Sequence, residues 1–153
     1  MSNITFNVAK GRVVELYNRV KSNDPTNAAI ILVPIETSGL EADATLIDAD
    51  TLAALLSGAT NEQTTMGRKT LTDADLAALP APDDSNDRYD ISLPTTTWTA
   101  ASGNAISKIA VCYDSDTTGG TDANIIPLTM FDFAQTPSGA DIQMTTGVFF
   151  RAS

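Results

Sequence analysis

Hydrophobic and polar positions follow three different rhythms along the first third of this chain. At residues 4–8, I-T-F-N-V, they switch at every step, the period of a half-buried strand. From residue 10, K-G-R-V-V-E-L-Y-N-R-V-K-S-N places Val13, Leu16, Tyr17 and Val20 at helical spacing. Arg12, Glu15, Asn18, Arg19 and Lys21 fall mostly on the other face, which predicts a half-buried helix. Lys21 lies in its last turn, where a cation suits the helix dipole. Asp24-Pro25 then stops it, because the residue before proline is pushed out of the helical region. Residues 28–35, A-A-I-I-L-V-P-I, are apolar without interruption, as in a central strand covered on both faces. Pro34 has no N–H to give, so the ladder is expected to stop or reach an edge near it.

Two capped helices are predicted next. L-I-D-A-D-T-L-A-A-L-L-S-G, residues 46–58, offers Asp48 or Asp50 as N-cap, an apolar stripe of Leu52, Leu55 and Leu56, and Gly58 as the stop. L-T-D-A-D-L-A-A-L-P, residues 71–80, offers Thr72 or Asp73 as cap and Pro80 as terminator. The two segments are partly alike, but a solenoid needs three or more units, so they read as two similar short helices.

The run P-A-P-D-D-S-N-D-R, residues 80–88, is a composition break: it has no apolar side chain larger than alanine and reads as a linker or surface loop. Beyond it the pattern turns to strands. Y-D-I-S-L alternates, T-T-T-W-T is rich in strand formers, and K-I-A-V-C-Y is a buried run. I-I-P-L-T-M-F-D-F and I-Q-M-T-T-G-V-F-F-R-A complete at least four strands. The expectation is a single α+β domain over 1–153. Its mixed half, 1–79, carries two to three short helices; its β-rich half, 89–153, forms an antiparallel sheet or small sandwich beneath them.

Composition narrows the chemistry. A chain of 153 residues typically buries about 68–70% of its extended-chain surface, enough for a core without staples. Nine basic residues stand against nineteen acidic ones, for a net charge of −10, and the basic ones form no cluster. Counterion release on nucleic acid needs such a cluster, so neither nucleic acid nor an anionic membrane surface is an expected partner. No apolar run reaches the length of a bilayer span. M-S-N-I-T-F-N-V-A-K has no basic stretch leading into an apolar one, so no secretory signal is expected. Histidine is absent, which removes the commonest general base and the commonest metal ligand together. The single cysteine, Cys112, lies among Ile109, Ala110 and Val111 and reads as a small buried hydrophobe.

One stretch resembles a chemical site. In C-Y-D-S-D-T-T-G-G-T-D, residues 112–122, Asp114, Asp116, Thr118 and Asp122 match positions one, three, five and nine of an EF-hand calcium loop, with Gly119 at six. Position twelve is Ile125, where that loop needs a bidentate glutamate, and the entering segment reads as a strand. A glycine turn between strands fits these residues better, with Gly119-Gly120 supplying left-handed backbone. A weak ion site on Asp114, Asp116, Thr118 and Asp122 stays open. Asp83, Asp84, Asp87 and Asp90 read as a solvated acidic loop, and Asp48, Asp50, Asp73 and Asp75 as helix N-terminal charge. Trp98, the only tryptophan, reads as core. If V-F-F-R-A is a strand, Phe149 and Phe150 point to opposite faces, and one of them then needs a partner surface. No catalytic constellation and no cofactor motif is present in the pattern.

Several blocks carry a resemblance. F-N-V-A-K-G-R-V-V-E-L-Y-N-R-V-K-S-N-D-P (6–25), L-T-D-A-D-L-A-A-L-P-A-P-D-D-S-N-D-R-Y-D (71–90) and V-C-Y-D-S-D-T-T-G-G-T-D (111–122) are similar to blocks of small virion-associated head proteins of tailed bacteriophages. I-P-L-T-M-F-D-F and F-F-R-A fit the same pattern, so the resemblance runs from about residue 6 to 152. It implies a non-enzymatic structural role in the virion, assembled in the host bacterial cytoplasm. The most direct version is a capsid decoration, or cement, protein that binds the major capsid protein as a homo-oligomer, with a trimer as the expected state. A neck, tail or fibre component with a host-binding loop is the alternative within the particle. A carboxylate-based hydrolase is the alternative outside that class. The resemblance brings no catalytic or metal residue with it.

Overall fold

The computed structural model describes residues 3–153. In chain order these form β1 (Ile4–Thr5), α1 (Val13–Lys21), β2 (Ala29–Glu36), α2 (Asp43–Leu46), α3 (Leu52–Leu55), β3 (Lys69–Leu71) and α4 (Asp73–Leu76). The remainder is β4 (Tyr89–Leu93), β5 (Thr96–Trp98), β6 (Ile106–Asp114), β7 (Ile126–Gln135), β8 (Ile142–Met144) and β9 (Gly147–Ala152). Single 3-10 turns occur at Asn7–Ala9 and Asp122–Asn124. The fold is α+β.

Its centre is an antiparallel five-stranded sheet of order β1-β7-β6-β2-β3. The two most apolar runs of the sequence lie side by side in it, with β2 and β6 in register from Ala29↔Asp114 to Ile35↔Lys108 and, past a bulge, paired at Glu36↔Ile106. Ile30, Leu32, Val33 and Ile35 of β2 and Ile109, Ala110, Val111 and Cys112 of β6 are wholly buried. Each large aliphatic side chain so placed contributes about 1.5–3 kcal/mol over leaving it in water. Pro34 behaves as its missing N–H requires. Pairing with β3 ends at Leu32, and the Pro34 carbonyl accepts from Gln63 N–H of the following loop at 2.9 Å. The missing donor therefore falls where the third strand has already left the ladder.

α1 forms where the spacing predicts, and its four apolar positions, Val13, Leu16, Tyr17 and Val20, are all buried. Glu15 sits in its first turn and Arg19 and Lys21 in its last, as the dipole favours. Lys21 Nζ donates to the carbonyls of Leu79 and Pro80, at 2.7 and 3.2 Å, and so ties the helix end to the start of the proline-rich loop. Tyr17 Oη donates to the Ser92 carbonyl at 3.0 Å, and its ring lies 6.4 Å from that of Tyr89 and 6.1 Å from that of Phe149. These contacts fasten α1 to the antiparallel ribbon of β4 and β9. A second ribbon pairs β5 with β8. Among the described residues no helix is long and apolar enough to cross a membrane.

Four local expectations change. The strand over 4–8 is cut to Ile4–Thr5, because the chain leaves the sheet in the 3-10 turn Asn7–Ala9, with Phe6 buried in the core. Its N–H donates to Leu128, and Asn7 N–H then turns away to Ile47, both through carbonyls at 3.0 and 2.9 Å. α2 is a separate turn leading into the segment 46–58, and the helix expected over that segment is cut to the single turn of α3. Its cap is Thr51, whose Oγ1 accepts from Ala54 N–H at 3.1 Å; Asp48 is occupied by the Asn7 amide and Asp50 stands exposed. The other helix is capped by Thr72, in a capping box with Asp75. Finally, the sheet does not belong to the second half alone: β1, β2 and β3 share it with β6 and β7. Residues 80–88 are a surface loop closed by the Asp83↔Arg88 bridge.

Candidate functional site

The loop after β6 is the place to look for an ion. Asp114, at the strand end, turns its Oδ1 back to accept from Asp116 N–H at 3.0 Å. Asp116 repeats the move one step later, with Oδ1 accepting from Thr118 N–H at 3.0 Å and from the Thr118 hydroxyl. Those bonds, the hydroxyl first, hold the Asp116 carboxyl below the usual aspartate range. Two successive Asx turns are thus what the alternating acids build here, and Gly120, at φ +81°, takes the left-handed position. Asp122 opens the next 3-10 turn and is drawn to a cation of the protein itself, Arg68. The four residues of the weak ion site are therefore not brought to one point. Among the described residues no three His, Cys, Asp or Glu side chains are grouped to hold a metal ion.

The partner of Asp122 belongs to a clamp that sequence reading misses. Arg68 Nη1 and Nη2 donate to Asp122 Oδ1 and Oδ2 at 2.7 and 2.9 Å, while Nε and Nη2 donate to Glu62 Oε1 and Oε2 at 2.7 and 2.6 Å. Both carboxylates meet the guanidinium in the two-toothed geometry that suits it. The Arg68 side chain is 28% exposed and that of Glu62 12%, so the clamp is partly shielded from solvent. The hydrogen bonds from Arg68, opposed by burial, hold the Asp122 carboxyl below its ordinary range. Nothing in the spacing of 62, 68 and 122 announces this arrangement; it is made by bringing the loop before β3 against the loop after β6.

A second cation is treated the same way. Lys108 of β6 stands directly opposite Asp132 of β7 and is buried. Its Nζ lies 2.6 Å from Asp132 Oδ1 and 3.2 Å from Asp43 Oδ1, at the start of α2. Burial pulls the ammonium toward losing its proton, but the hydrogen bonds to Asp132 and Asp43 outweigh it, and the group is held above the ordinary lysine range.

Several of the remaining acids have structural partners. Asp83 accepts from Ser85 N–H at 3.1 Å and from the Asn86 amide at 2.7 Å, closing its own turn. Asp90 pairs across the ribbon with Arg151 and lies 3.4 Å from Arg88. Asp75 accepts from Thr72 N–H at 2.8 Å, while Asp84 and Asp87 are exposed at the loop tip. Cys112 is completely buried, and that burial pushes its thiol up and away from reactivity.

Trp98 is core. It is buried, its Nε1 donates to the Gly67 carbonyl at 2.9 Å, and its ring centre lies 6.3 Å from that of Phe133. Phe149 and Phe150 lie in β9, as expected of a strand. Both rings are partly buried against the chain's own core, Phe149 beside Tyr17 and Phe150 opposite Ile91, so neither is left bare. Among the described residues, the large apolar side chain that does face solvent is Val148, 49% exposed. It rims a groove of about 260 Å³ between the outer end of β7 and the β8–β9 turn, lined by Leu93, Phe131, Phe133, Met144 and Phe149. No family model, curated protein or solved structure matches the chain.

Proposed function

We propose that this chain is a non-enzymatic structural component of a tailed-bacteriophage particle, a capsid decoration protein that binds across joints between major capsid subunits. What carries the reading is the resemblance drawn from its sequence blocks, from about residue 6 to 152, to small virion-associated head proteins. Arg68 and Lys108 are each held between two carboxylates, and Asp83, Asp90, Asp114 and Asp116 shape turns or ribbons.

On this reading the mechanism is surface burial repeated by symmetry. A homo-oligomer, with a trimer as the working state, sets several copies of one weak contact on neighbouring capsid subunits. Linking them turns later contacts into intramolecular events and raises the total affinity without any new contact type. The shell gains by having its joints spanned. Particles stripped of this chain should lose their contents at lower temperature than complete ones and regain resistance when the purified chain is added back. Equal resistance of stripped and complete particles would remove the stabilising role.

A further inference from the structure

We draw no further inference here: the strongest candidate, the apolar groove between the outer end of β7 and the β8–β9 turn, rimmed by the half-exposed Val148, is an unpartnered surface and nothing in the structure shows what covers it.

Discussion

Arg68 grips Asp122 through paired hydrogen bonds of 2.7 and 2.9 Å, joining loops that are 54 positions apart in sequence. The same guanidinium holds Glu62, so removing it strands two carboxylates facing each other. Arg68→Ala should cost about 1–3 kcal/mol, less than a fully buried pair because solvent reaches part of the clamp. Urea unfolding followed by Trp98 fluorescence measures it, and an unchanged midpoint would mean that the clamp is decorative.

The acid limb of stability follows from the same contact. The folded Asp122 carboxyl is held below its ordinary value, chiefly by the Arg68 hydrogen bonds, so its contribution is complete above the unfolded value. It is lost as pH falls through the folded one. The stability gap between the parent chain and Asp122→Asn should therefore be widest near neutral pH and narrow below about pH 4. A gap that stays constant down to strongly acid pH would separate Asp122 from the effect.

Lys108 supports the pairing of β6 with β7. Lys108→Ala removes the buried ammonium from between Asp43 and Asp132, which solvent partly reaches, and should cost about 1–3 kcal/mol. Asp132→Asn should cost less, since Asp43 still neutralises the ammonium. Because the folded group is held above the ordinary lysine value, its contribution is complete below that value and lost as pH rises through the folded one. The cost of Lys108→Ala should thus stay level from neutral pH to about pH 10. Denaturant midpoints across that range check both the order of the two variants and the level stretch.

Capping offers a sharper comparison. Thr51→Ala removes the acceptor for Ala54 N–H and should cost about 1 kcal/mol, whereas Asp50→Ala should change stability by less than about half of that. Equal losses for the two would restore aspartate as the cap of α3.

Calcium should leave the protein unchanged. Asp122 is committed to Arg68, and Asp114 and Asp116 spend acceptors on the turn itself. Melting curves with millimolar calcium and with chelator should overlay; a midpoint that climbs steadily with calcium concentration would reveal a site that the fold does not display.

What could be read before the structure depends on how local its cause is. The spacing of Val13, Leu16, Tyr17 and Val20 betrays α1 because one face alone meets the core, and the unbroken runs around Ile31 and Ala110 betray strands covered on both sides. The Asp114 loop was legible as a turn because Ile125 stands where a calcium loop needs glutamate. β3 and α2 were not legible, being too short to show a period. Thr51 is the cap because α3 begins at Leu52, later than a cap at Asp48 or Asp50 requires. The Arg68 clamp and the Lys108 pair exist only once the loops and strands have met, and no spacing rule reports a partner chosen by tertiary packing. The sharing of one sheet by both halves is of the same kind, since strand order is settled by which faces need cover.

The claim that this chain decorates a phage shell is tested most directly by imaging the intact particle and locating the chain in it. The account predicts density for a symmetric oligomer of this α+β fold on the outer face of the head, repeated at the joints of the major capsid lattice. Finding it confined to a single ring at the neck or tail, or absent from purified particles, would contradict the account.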